Sequence, residues 1–188
     1  MLEDFSQHIL DIAENGVNAG ADEILIVLRD SNERGVLELE ISDNGRGMDQ
    51  ETLLKAVDPF STSRTTRKVG LGLPFLKQAA ELNGGEFSIQ SEPGVGTKVS
   101  ASFLKNSIDL PPEGDIPSSL VSLVVAHPDI RWIYSYLIED SEFRFDSREI
   151  AEILEDPSLL TRPDVAEWMY GYIADNIREL KSGGEVAN

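Results

Sequence analysis

The chain of 188 residues has no cysteine, which excludes disulfide bonds and thiolate metal sites and leaves no residue that reports on the redox state of its compartment. Histidine is nearly absent. His8 and His127 stand alone, His127 just before a proline, which suits a turn better than a metal ligand or a phosphoacceptor. Basic side chains are few: 16 Lys and Arg face 34 Asp and Glu, a formal net charge of −18. Such a surface repels nucleic acid and anionic membranes. No apolar run approaches the roughly 20 residues of a membrane helix, and the acidic start MLEDFSQ has no secretory pattern. These absences lead us to expect a soluble, cytoplasmic protein with neither a nucleic-acid nor a membrane partner. At 40% hydrophobic the chain can still bury a core.

What is present centres on DNGRGM, Asp43 to Met48, which follows the alternating apolar run Val36 to Ile41. A strand thus runs into a glycine-punctuated turn with a carboxylate at its mouth. Such a carboxylate can accept a hydrogen bond from an amino group, and the glycines permit close approach to the backbone. Calcium loops and ordinary surface turns read much the same. Three further stretches accompany it: ENGVNAG at Glu14 to Gly20, DPFSTSR at Asp58 to Arg64, and VGLGLPFLKQAAELNGG at Val69 to Gly85, followed by GVGTKVSASF at Gly94 to Phe103.

Taken along the chain, residues 4–19 read as an amphipathic helix. Asp11, Asn15 and Asn18 fall on a common face, which could equally be solvated. Strands follow over Asp22 to Arg29 and Val36 to Ile41, joined as a hairpin. Asp49 to Val57 is predicted to be a short helix with Asp49 as N-cap. Ser61 to Lys68 is a polar loop holding the one cluster of cations in this half, Arg64, Arg67 and Lys68. Pro74 fits only a first helical turn, so a helix must open near Leu71 or Gly72, and its free N–H groups beside Gly70 and Gly72 form an anion site. Strands Glu86 to Ser91 and Thr97 to Phe103 complete the expected sheet.

In this order and spacing the motifs resemble the GHKL superfamily of gyrase, heat-shock-90, histidine kinase and mismatch-repair ATPases, over about residues 3–105. From Gly45 to Phe103 the likeness is greatest to the histidine kinase catalytic domain. The resemblance implies an α+β, Bergerat-type two-layer sandwich with a mixed, mostly antiparallel sheet that binds ATP and Mg2+. Asp43 would accept from the adenine amine, helped by Thr97, with Gly45, Gly47 and Met48 shaping the turn against the base. Asn15 would ligate magnesium, with Asn18 on the same stripe. Phe60 would lie at the base of a lid from which Arg64, Arg67 or Lys68 reach the phosphates. Gly70, Leu71, Gly72 and Leu73 would bind phosphate at the helix start. Hydrolytic members carry a glutamate where this chain has Asp11, so a shorter base would make hydrolysis slow. Three uses of ATP follow: slow hydrolysis or ATP-driven switching, non-hydrolysing regulation, or transfer to a histidine or serine of a separate partner. Autophosphorylation is not expected, since no phosphoacceptor domain is read in the chain.

Residues 106–117, rich in proline, read as a linker, 118–181 as a small α/β extension and 182–188 as a frayed tail. The extension is expected to hold helices over Ser118 to Ala126 and Val165 to Leu180 and strands over Ile130 to Ile138 and from Phe143. It resembles the tail of small stand-alone ATP-binding proteins whose genes lie beside those of iron-only hydrogenases in anaerobic bacteria. It carries no catalytic set. Its aromatics suggest packing on the first domain or docking of a protein partner, with the strand of Trp132 as one face to present and the lid as the other place where a partner is expected.

Overall fold

The computed structural model describes residues 4–58 and 71–185, with side chains through residue 183. The elements are α1 (Phe5–Asn18), β1 (Glu23–Ser31), β2 (Val36–Asp43), α2 (Gln50–Ala56), α3 (Gly72–Asn83), β3 (Phe87–Glu92), β4 (Gly96–Leu104), α4 (Ile116–Ala126), β5 (Arg131–Ile138), β6 (Ser141–Asp146), α5 (Ser147–Leu154), a 3-10 turn (Pro157–Thr161) and α6 (Pro163–Glu185). The sheet order is β3-β4-β2-β1-β5-β6, antiparallel at every pairing except the parallel β1–β5. This is the α+β, mixed and mostly antiparallel sheet expected.

Local chemistry sets the boundaries. The Asp4 carboxylate caps α1 by accepting from Gln7 N–H at 2.8 Å, and Asp49 caps α2 by accepting from Thr52 N–H at 2.8 Å. Pro74 lies in the first turn of α3, and Gly84 ends that helix in the left-handed conformation at φ 88°. α4 begins two residues earlier than the sequence suggests. Asp115 caps it and Pro117 sits in its first turn, where a missing N–H is harmless. α6 runs past the Leu180 end expected for it, into what reads as a frayed tail. Just before that tail, Lys181 pairs with Glu113 and lies over the Tyr136 ring at 5.7 Å.

One core joins the two halves of the chain. Ile9, Ile12 and Ala13 of α1, Leu76 of α3, Leu123 and Val124 of α4 and Ile173 of α6 meet the inward residues of the strands, among them Ile24, Ile26, Leu39, Ile41, Trp132 and Tyr134. The opposite sheet face is ion-paired, with Arg29 and Lys98 both on Glu40. The reading of 118–181 as an extension apart from the first domain therefore needs correction. Its strands β5 and β6 continue the same sheet, and Trp132, 1% exposed, lies inside it rather than on a face that a partner reaches. The physical reason is nonlocal: β5 pairs with a strand more than 100 residues earlier, which no local pattern signals.

Candidate functional site

β2 ends at Asp43, whose carboxylate accepts from the Gly45 N–H at 2.9 Å. Burial pushes this carboxyl above its ordinary range, and the Gly45 and Thr97 N–H donors pull the other way without cancelling the effect. Glycines close around it. A Cβ on Gly16 of α1 would lie 2.9 Å from the Asp43 Cβ, and one on Gly45 would lie 2.9 Å from its Oδ1. Gly96 holds φ 134° with its Cα against the Asp43 carbonyl, and Gly47, at φ 63°, passes so close to the Glu92 carbonyl that any side chain there would overlap it.

Two polar side chains fix the turn. The Ser91 hydroxyl accepts from Met48 N–H at 2.8 Å and sits 3.0 Å from the Gly96 carbonyl and 2.8 Å from the Thr97 hydroxyl. Asn44 accepts from Asp22 and Glu23 N–H at 3.0 and 3.1 Å. The sequence reading missed Gly16, Ser91, Gly96 and Asn44 as site-forming residues. A glycine inside a helix signalled Gly16; nothing local signalled Ser91.

On the helix α1, Asp11 and Asn15 are both half-buried, and Asp11 faces the start of α3. A Cβ on Gly72 would meet the Asp11 Cβ at 2.7 Å, so the first turn of α3 abuts Asp11. Among the described residues no side chain caps that turn, and the first N–H groups of a helix are the kind of donor an anion uses. Leu71 is exposed, while Leu73 is buried and serves the core. Asn18 is exposed and donates back to the Glu14 carbonyl at 2.7 Å, so its amide is held on its own helix. Glu14 instead meets His127 Nε2 at 3.2 Å, joining α1 to the end of α4. Phe60, Arg64, Arg67, Lys68 and Gly70 lie outside the described residues. Among the described residues no cluster of three or more His, Asp or Glu could hold a metal by itself, and no helix is long and apolar enough to cross a membrane.

The arrangement is thus a half-buried carboxylate at a strand end, a carboxylate and an amide on the adjoining helix, and an uncapped helix N-terminus beside them. The family model for histidine kinase-, DNA gyrase B- and HSP90-like ATPases matches residues 2–121. Among curated relatives, the sensor histidine kinase YvrG of Bacillus subtilis is 29% identical over 92 residues, covering 47% of this chain and 16% of that protein. The sensor protein RprX of Bacteroides fragilis is 32% identical over 107 residues, covering 52% and 21%. The chain thus spans about a fifth or less of the length of these relatives. A solved structure of the N-terminal domain of a DNA repair protein superposes with a TM-score of 0.53 at 15% identity, covering 76% of this chain and 51% of that one, a likeness of fold. The match over residues 2–121 means that this chain belongs to the histidine kinase-, DNA gyrase B- and HSP90-like ATPases and carries their ATP-binding domain.

Proposed function

We propose that the protein binds ATP with Mg2+ and hydrolyses it slowly, using occupancy of the site to switch a protein partner. The observation that carries this reading is the Asp43 carboxylate. It accepts from the Gly45 N–H, and a carboxylate offers about four acceptor positions, so capacity remains for the exocyclic amine of adenine. Guanine presents a carbonyl oxygen at the corresponding place and would meet the acid unfavourably. Gly45, Gly47 and Met48 form the wall against the base, and the Thr97 hydroxyl, held by Ser91, stands beside it.

Asn15 is an oxygen ligand of the kind magnesium accepts, with water and phosphate oxygens completing its shell. The ion would neutralise charge on the phosphates. The Gly72 end of α3 and the preceding Gly70 would receive phosphate oxygens, with Arg64, Arg67 or Lys68 adding positive charge and Phe60 supporting that loop. Asp11 is the base in this reading. It removes a proton from water as the water oxygen bonds to the γ-phosphorus and the bond to the ADP oxygen breaks. Its side chain is one methylene shorter than glutamate, which reduces reach and rate. The likeness to sensor histidine kinases favours a second reading, transfer of the same phosphoryl group to a histidine or serine of a separate protein.

Calorimetry with ATP and GTP, in the presence of Mg2+, tests the first step. Asp43→Asn should weaken ATP by about ten- to a hundredfold, the worth of a buried hydrogen bond to a charged group. The folded state, which holds the carboxyl above its unfolded pKa, is destabilised by ionising it, so the same substitution should leave stability unchanged or raise it. Absence of ATP binding by the unsubstituted protein ends the proposal. Single-turnover hydrolysis of labelled ATP by Asp11→Asn separates the uses: loss of turnover with binding retained supports hydrolysis, and label on an added protein supports transfer.

A further inference from the structure

We infer that the outer edge of β6 and the adjoining face of α6 form a docking surface for an extended, basic segment of a partner protein. This refines the partner side of the function proposed above and is independent of its nucleotide chemistry. Among the described residues β6 has one strand neighbour, β5, so the backbone N–H and C=O groups of its other edge have no strand opposite them. Beside that edge stands an aromatic ladder. Phe143 of β6 meets the Tyr172 ring edge-on at 5.7 Å, and Tyr172 stacks on Trp168, 5.3 Å away and 10° from parallel. Trp168 is 51% exposed and Tyr172 38%, on a helix whose other side is packed through Met169, Ile173 and Ile177.

Charge selects the occupant. Residues 139–185 contain 13 acidic and 5 basic side chains, a net of −8. Two of the acids flanking the ladder, Asp164 and Asp175, are already paired, with Arg162 and Arg178. Glu142 and Glu167 make no ion pair among the described residues. A second copy of the chain would bring another −18 to this edge, so self-pairing is opposed. A basic segment is favoured. Added as a strand about 4.8 Å beyond β6, it would turn alternate side chains toward α6. Arginine or lysine at those positions would lie over the open face of Trp168.

The probe is a six-residue peptide alternating arginine and valine, acetylated and amidated at its ends, titrated into the full chain at low salt. Trp168 and Trp132 are the two tryptophans, and Trp132 is buried, so a change in emission reports Trp168. Saturable binding that weakens with salt is expected. Calorimetry should show Trp168→Ala weakening it by about five- to thirtyfold. A glutamate–valine counterpart should not bind, and N-methylation of alternate residues in the basic peptide should abolish binding by removing its donors. The Asp43→Asn protein should bind the peptide as the parent does, so loss of the nucleotide reading and loss of this one are distinguishable. No saturation by about 1 mM peptide overturns the inference. So do equal affinities for the methylated and parent peptides together with no effect of Trp168→Ala, since charge alone then attracts the peptide. Light scattering that shows a dimer dispersed by Trp168→Ala assigns the surface to a second copy and overturns it as well.

Discussion

Replacing Gly16 by alanine separates helix propensity from site geometry. In a helix interior alanine is worth about 1 kcal/mol over glycine. At Gly16 the new Cβ would lie 2.9 Å from the Asp43 Cβ and 3.0 Å from the Ile24 Cδ1. The Ile24 methyl is the far end of a flexible side chain and can turn aside. The Asp43 Cβ has no such freedom, because its backbone lies between Ile24 of β1 and Thr97 of β4. Overpacking of this kind costs about 1–3 kcal/mol, so the net loss of stability should be about 0–2 kcal/mol after the propensity gain. The displacement falls on the carboxylate assigned to adenine, so ATP affinity should fall roughly tenfold or more. Gly171 is the control. It lies in α6 with nothing within 4 Å of a built Cβ, so Gly171→Ala should gain stability by about 1 kcal/mol and leave ATP binding alone. Urea unfolding and calorimetry on both variants make the measurement. If Gly16→Ala gains as much stability as Gly171→Ala and binds ATP like the parent, the close approach of α1 to Asp43 is wrong.

Three further predictions concern parts of the chain that the site leans on. Ser91→Ala removes the acceptor of Met48 N–H and the partner of the Thr97 hydroxyl, so the ATP-over-GTP preference should shrink about fivefold or more, with Ser91→Thr restoring part of it in the same calorimetric assay. A chain ended after Lys105 deprives β1 of its parallel neighbour and α1 of the bonds from Phe5 and Ser6 N–H to the Pro112 and Glu113 carbonyls. Urea unfolding of that fragment should show no cooperative transition, and a cooperative, ATP-binding fragment would restore the two-domain reading. Asp146 is buried; burial alone would raise its carboxyl, but Arg131, the Arg148 N–H and Arg144 together hold it below the ordinary value of 3.8. A depressed carboxyl stabilises the fold above its unfolded pKa and loses that contribution as pH falls through the folded one. Stability should therefore drop below about pH 4, and less so in Asp146→Asn, as followed by thermal melts.

The first half of the fold was legible because its signals are local. The hairpin of β1 and β2 shows in alternation, the α2 start in Asp49, and the α3 start in Pro74, whose ring is tolerated only there. The carboxylate at the mouth of the glycine turn follows from the same alternation; Asp43 ends β2, and its half-burial is seen only in the structure. The packing that surrounds it was not legible. Gly16 and Gly96 come from elements 80 residues apart and matter because of what they touch, not because of their own neighbours in sequence. Ser91 reads as one more alternating strand residue. The aromatics of β5 read as a strand from composition, and they form one, but their burial depends on pairing with β1, and a parallel partner leaves no turn between the two strands to announce it.

That pairing bears directly on the site. Ile24 is the register partner of Asp43 on one side and of Trp132 on the other, so the carboxylate and the buried tryptophan stand in one row across three strands. The helix that carries Asp11 and Asn15 is held in the same divided way. Its first residues bond to the carbonyls of Pro112 and Glu113, its middle to His127 through Glu14, and its end to the glycine turn through the Ala19 carbonyl and Arg46 N–H. Two of these three attachments come from beyond residue 105. The relative placement of the groups assigned to water, magnesium and adenine is consequently a property of the whole sheet. A substitution in β5 or in residues 106–115 should therefore alter nucleotide affinity without touching any residue of the site, as calorimetry with ATP would show.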